Sequence, residues 1–335
     1  MDIVSRPAHP WVAAAEGTVR CAAFSPIFPE LPRMRAEVRR LESLGYDAVY
    51  LPDHPFALMG DPWIALASCV DATTRLRLGV MVSCAAYRHP GMLARAVADV
   101  DRLSQGRVVL GIGSGDMPHE FAMLGLDWGT PRGRRDRLEQ TLHVVPALLR
   151  GERVSFDGDG FALREATLPL PAVQQPHVPI IVAGGSRGAL RLAAEHADAA
   201  NIGPASFAGG AYTTDDITNR LASLDELCSA RGRDPASVLR TAFIGVSIAP
   251  TSTQAKDHLE RVPPEAREMF RGFFFAGDPA ETVDFLQHYV DAGYRYLIFF
   301  TTDVFVLRSE MIELLATDVI PRLHTTQPVS TTAAV

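Results

Sequence analysis

Four short stretches of this chain gather side chains that can move protons or hold an anion. In Pro52-Asp53-His54-Pro55, a carboxylate and an imidazole sit between prolines that keep the backbone extended. His54 can give or take a proton near neutral pH. The plainer alternative is that Asp53 caps a turn and His54 is a hydrogen-bonded rim residue. Ser83-Cys84-Ala85-Ala86-Tyr87-Arg88-His89-Pro90 opens with small residues that leave room for a flat ring beside the backbone. Within it, Arg88 could serve an anion or pair with a carboxylate. Gly111-Ile112-Gly113-Ser114-Gly115-Asp116, followed by His119-Glu120, places glycines where a ligand can approach the chain. It offers Asp116 and Glu120 as acids, or as loop caps and ion-pair partners. Gly184-Gly185-Ser186-Arg187-Gly188 runs straight into a helical segment, Ala189–Ala197. Exposed amides, a hydroxyl and an arginine at a helix start favour a phosphate site over a plain tight turn. Asn201 offers an amide to the same region.

These stretches follow β-like runs, and the runs alternate with helical segments. The predicted strands are Val19–Phe24, Ala48–Leu51, Leu76–Val82, Val108–Ile112, Ile180–Ala183, Ala199–Ile202, Thr241–Ile248 and Tyr296–Phe300. Several are unbroken apolar runs, as strands buried on both faces must be. Between them, Leu31, Met34, Val38, Leu41 and Leu44 form a one-sided helical stripe that Gly45 ends, as do Leu138, Leu142, Val145 and Leu149. Asp61-Pro62 and Asp278-Pro279-Ala280-Glu281 read as helix starts. Such alternation predicts a parallel sheet with crossover helices. An open doubly wound sheet would carry a glycine-rich turn after its first strand, but SPIFPELP follows here. The expectation is therefore a (β/α)₈ TIM barrel whose site lies at the C-terminal strand ends. Two segments interrupt the alternation. Arg153–Arg164 reads as a β-hairpin before the fifth strand, around D-G-D-G. The insertion 250–277, after the seventh strand, carries Phe270, Phe273, Phe274 and Phe275 and reads as a lid or as a packing segment. We expect one domain over 1–335, with its barrel core at about 19–323.

Composition narrows the function. The 335 residues are 47% hydrophobic, enough for a large core, and the net charge of -7 gives no footprint for nucleic acid. No apolar run is long enough for a transmembrane helix, and the N-terminus lacks a signal-peptide pattern. Cys21, Cys69, Cys84 and Cys228 are scattered without metal-like spacing. That predicts reduced thiols in a cytoplasmic protein and no metal. Lys256 is the only lysine, which leaves little room for Schiff-base chemistry.

In its order and spacing of motifs the chain resembles the luciferase-like flavin-dependent oxidoreductases, most closely their deazaflavin (coenzyme F420) branch. The resemblance runs from about Val19 to Leu323. It rests on LESLGYDAVYLPDH, YRHPGMLARAVADVDRLSQGRVVLGIGSG, RGRRDRLEQTLHVVPALLRG and PIIVAGGSRGALRLAAEHADAANIG. It implies a barrel with an insertion after strand seven and a tricyclic ring at its mouth. By resemblance, Asp53 contacts the ring and His54 is the acid/base beside the hydride-accepting carbon. The Ser83-Cys84 peptide matches a bulge behind the ring, often a non-prolyl cis bond. Ser114 and Gly115 match the cofactor's tail, and Gly184, Gly185 and Ser186 its phosphate, with Arg187 as an addition. Asp116 falls where sugar-phosphate dehydrogenases of this branch carry a catalytic glutamate. The shorter carboxylate, and a segment after His54 (PFALMGDPW) without their aromatic pattern, argue against a sugar-phosphate substrate. The aromatic residues Trp63, Phe270 and Phe273–Phe275 point instead to an apolar or aromatic one.

The leading expectation is an F420-dependent oxidoreductase that transfers a hydride to or from a small organic molecule. Arg88, Arg132, Arg187 and Arg191 are candidates for the acidic tail of that cofactor. The alternative is an FMN-dependent monooxygenase using O2, fed by a separate flavin reductase. A homodimer follows by family analogy. A phosphate-binding aldolase or isomerase is disfavoured, because no lysine stands at a strand end. A barrel that merely stores flavin is disfavoured by the presence of His54.

Overall fold

The computed structural model describes residues 7–55, 60–203, 205–206, 210–211, 213–306 and 310–325. Eight parallel strands form its centre: β1 (Arg20–Phe24), β2 (Ala48–Leu51), β3 (Arg77–Cys84), β4 (Val108–Gly113), β5 (Ile180–Ala183), β6 (Ala199–Asn201), β7 (Leu239–Ile248) and β8 (Tyr296–Thr301). Each pairs with the next, β8 pairs back onto β1, and the sheet closes into the expected (β/α)₈ barrel. All eight lie within two residues of their predicted bounds.

The two-residue period of the strands sorts the core into two layers. Ala22 and Phe24, Ala48 and Tyr50, and Tyr296, Ile298 and Phe300 point into the barrel. Their neighbours Cys21, Ala23, Val49, Leu51, Leu297 and Phe299 pack under the helices. Gly79 leaves space inside for the Tyr50 ring, since a Cβ there would fall 2.5 Å from Tyr50 Cε1. A short helix unforeseen in the sequence, Pro10–Ala13, sends Trp11 and Val12 into this inner layer. Trp11 meets Tyr296 edge-on at 5.3 Å.

The helices follow their sequence signals, except that Leu31, expected to open a buried stripe, is exposed at the first turn of its helix. Met34, Val38 and Leu41 are buried on Leu31–Ser43, and Leu138, Leu142, Val145 and Leu149 on Pro131–Leu149. Asp61 accepts from the Trp63 and Ile64 amides, and Asp278 and Glu281 form a capping box. The hairpin pairs Val154–Gly158 with Phe161–Ala166 across Asp159-Gly160. Among the described residues, no helix is long and apolar enough to cross a membrane.

The insertion is ordered structure: helices Ser252–Glu260 and Pro264–Met269, then a strand, Phe274–Gly277. That strand pairs with Gly245–Ile248 of β7, while short β6 reaches only Leu239–Thr241 of the same strand. The insertion thus takes over the edge of β7 that β6 leaves unpaired at the mouth, and it forms part of the site's wall.

Candidate active site

The C-terminal strand ends surround a cavity of about 660 Å³, a size suited to a small-molecule or cofactor site. One side is polar. The stiff turn after β2 brings in Asp53 and His54, the end of β4 brings in Ser114, Gly115 and Asp116, and the helix Pro118–Met123 brings in Glu120. The other side is aromatic. Phe24, Phe243 and Phe300 rise from β1, β7 and β8, and the insertion adds Phe270 and Phe273. Phe24 lies 5.0 Å from both Phe243 and Phe300, and Phe270 lies 5.4 Å from Phe300.

His54 is oriented by a group 66 positions away. Its Nδ1 lies 3.1 Å from Glu120 Oε2, and Glu120 is only 2% exposed. The Tyr87 hydroxyl donates to the same oxygen at 2.7 Å. Burial, then this hydrogen bond, raises the Tyr87 pKa far above its ordinary value, so the hydroxyl stays protonated and donates. An ionised carboxylate can only accept. When Nδ1–H donates to Glu120 Oε2, Nε2 is left as the acceptor nitrogen of the ring, facing away from Glu120.

Asp53 lines the same cavity but is already engaged. Arg88 Nη2 lies 2.9 Å from Asp53 Oδ1, and Arg88 Nη1 lies 2.8 Å from Asp61 Oδ2. Burial raises the Asp53 pKa, and the Arg88 bonds oppose that rise. Asp116 is open to the cavity, yet protein crowds it on its other sides, and this desolvation raises its pKa too. Burial pushes the Cys84 thiol up to about 12. Cys84 is thus a neutral wall residue and no nucleophile.

Glycines at the rim allow close packing of the protein behind it, since a Cβ at Gly184 would meet Ala189 Cβ at 2.9 Å and one at Gly185 would meet Arg220 Nη1 at 2.8 Å. Gly115 adopts φ +89°, and a Cβ there would meet Phe121 at 2.7 Å and Cys84 Sγ at 2.9 Å. Gly184 and Gly185 expose backbone just before the ten-residue helix Arg187–His196.

Nine of the twelve residues proposed from the sequence therefore come together: His54, Asp116, Asp53, Cys84, Ser114, Gly115, Gly184, Gly185 and Asn201. The Asn201 amide nitrogen is held by Thr241 Oγ1 at 2.9 Å. Three lie elsewhere. Ser83 is buried behind β3, where its Oγ accepts from Trp63 Nε1 at 3.3 Å. Ser186 caps its helix at the Ala189 amide, 3.3 Å away. Arg187 turns outward to Ser223, 3.3 Å away.

The irregular peptide expected at Ser83-Cys84 needs correcting. The cis bond is Met81-Val82, and the register shift lies between Val80 and Ser83. Beyond that shift, normal strand alternation sends Ser83 outward and Cys84 inward. Trp63 lies outside the barrel, Phe275 stacks on Phe285 at 4.3 Å and Phe274 packs against Phe300 at 5.3 Å, so none of the three lines the cavity. None of Arg88, Arg132, Arg187 and Arg191 lines it either. Residues 56–59 of the segment after His54 lie outside the described residues. Glu120 was visible in the sequence as a spare acid, but no sequence signal tied it to His54.

An F420-dependent glucose-6-phosphate dehydrogenase of Beutenbergia cavernae is 30% identical over 84% of this chain and 90% of its own. An F420-dependent hydroxymycolic acid dehydrogenase of Mycobacterium tuberculosis is 28% identical over 87% of this chain and 84% of its own. The fold also matches that of an F420-dependent secondary alcohol dehydrogenase in complex with an F420-acetone adduct. That match has a TM-score of 0.76, 18% identity, and coverage of 92% of this chain and 99% of that one. The family model for luciferase-like monooxygenases matches residues 9–263, and the chain belongs to that family.

Proposed function

We propose that this chain is a coenzyme F420-dependent oxidoreductase acting on a small, uncharged, largely apolar alcohol or carbonyl compound. The observation that carries this reading is His54, fixed through Nδ1 by buried Glu120 at the mouth of an aromatic-walled cavity. The printed activities of the relatives point the same way. A tricyclic cofactor fits what is there: an aromatic and aliphatic wall for its flat faces, and the backbone of Gly115, Gly184 and Gly185 along the rim.

When bound, the deazaflavin supplies the two-electron partner for a hydride. Asp53, Cys84, Ser114 and Gly115 would line its ring and tail. Gly184 and Gly185 would present amides to its phosphate, helped by the adjoining helix N-terminus. His54 Nε2 would take the hydroxyl proton as an alcohol is oxidised and return it in the reverse direction. Asp116, on the cavity wall and left more readily neutral by its raised pKa, would donate a hydrogen bond to the substrate oxygen.

The lining residues among those described include no lysine or arginine. This supports an uncharged substrate over a phosphorylated sugar, because the amides and helix N-terminus at Gly184-Gly185 are assigned to the cofactor phosphate and no cationic side chain in the lining is left for a second one. The FMN-and-oxygen alternative shares the same ring site and is separated from this reading by cofactor choice. The proposal extends to a single domain, and to a separate enzyme that resets the cofactor. It also includes a homodimer through the helices after β2 and β3, where Ile64 and Met92 are exposed. A cytoplasmic location is supported by four buried free thiols.

Replacing His54 by alanine tests the assignment. Cofactor affinity should stay within a few-fold while turnover falls by about 10²–10⁴-fold. Unchanged turnover would make His54 a rim residue and sink the mechanism.

A further inference from the structure

On the flank of the barrel, away from the cavity, three metal-binding side chains face one another. Glu139 and His143 stand one turn apart on the helix Pro131–Leu149, and His196 ends the helix Arg187–His196 that packs against it. One ligand atom from each lies within 4.8 Å of the others, and the two imidazoles meet edge-on at 4.6 Å. We propose that Glu139, His143 and His196 form a binding site for a divalent transition-metal ion of the zinc type, which staples these two helices together.

The donor set suits such an ion, since imidazole and carboxylate are its ordinary ligands and water completes a tetrahedron. Bonds of about 2.1 Å require donors about 3.4 Å apart. The set must therefore contract, and exposed His143 is free to swing inward. Glu139 is held by Arg191 at 2.6 Å, but Arg191 also bonds Glu195 at 2.6 Å. It can keep Glu195 when Glu139 turns to the metal. Because the helix Arg187–His196 begins at the glycine strip of the cavity, the staple would anchor the far end of the element that borders the phosphate-binding edge.

The test is a titration of the untagged, chelator-stripped full chain with Co2+, whose visible absorption reports histidine coordination, followed by competition with Zn2+. One Co2+ should bind per chain, Zn2+ should displace it, and Mg2+ should not, because it prefers oxygen ligands. Zn2+ should also raise Tm. His143→Ala and His196→Gln should each weaken binding by about tenfold or more, at least as much as loss of an outer-sphere partner does. His143 is exposed, so its variant should fold normally, as circular dichroism can verify. Failure of the parent chain to bind Co2+, or equal binding by His143→Ala, would overturn the proposal.

Discussion

Replacing Glu120 separates a positioning role from a merely structural one. Its Oε2 receives both the His54 Nδ1 proton, at 3.1 Å, and the Tyr87 hydroxyl, at 2.7 Å. A hydrogen bond to a charged group contributes about 1.5–3 kcal/mol, and each 1.36 kcal/mol is tenfold in rate. If the bond to His54 is needed in the proton-transfer step, Glu120→Ala should lower kcat about 10- to 150-fold. Glu120→Gln keeps an acceptor oxygen but loses the charge, and charge assistance roughly doubles such a bond. That variant should recover about half of the lost free energy and remain only about 4- to 12-fold slow. The assay is steady-state turnover of F420 with a secondary alcohol drawn from an apolar panel, alongside cofactor binding. KM and cofactor affinity should move little, because Glu120 acts through His54. A kcat for Glu120→Ala within twofold of the parent would refute the reasoning. So would a Glu120→Gln loss as large as that of the alanine variant.

Two further outcomes follow from charges around the cavity. The raised pKa of Asp116 means that its contribution to stability is fully present below its unfolded value of 3.8 and is lost as pH rises through its folded value. Asp116→Asn should therefore gain in Tm relative to the parent as pH is raised through the window just above 3.8, a trend thermal melts in matched buffers would detect. A Tm difference flat with pH would contradict the desolvation described. Arg88→Ala strips the counter-charge from Asp53, which is 3% exposed, and should cost about 3 kcal/mol in urea unfolding, the low end for breaking a buried pair.

Much of this architecture was legible in the sequence because local rules carry it. Unbroken apolar runs marked several of the strands, and Asp61 and Asp278 marked their helix starts. Position at a strand end then placed Asp53, His54, Gly115 and Gly184 at the mouth. What escaped was set by long-range geometry. Glu120 meets His54 across 66 residues, a pairing that no spacing encodes. Ser83 was placed beside the ring, but the shift after Val80 reverses which face it presents. Arg187 looked like an anion ligand, yet the first turn of its helix directs it toward Ser223. Of the consecutive phenylalanines, Phe273 precedes the strand Phe274–Gly277 and reaches the cavity, while within the strand alternation sends Phe274 to the inner layer and Phe275 outward onto Phe285.

The most direct test is equilibrium binding of F420 and of FMN to the purified chain, side by side, read by absorbance and fluorescence. Tight F420 binding with clearly weaker FMN binding is the expected result, and it would direct the substrate search to apolar alcohols and carbonyl compounds. Tight FMN binding without F420 binding would contradict the hydride-transfer reading and point to oxygen chemistry with a partner reductase.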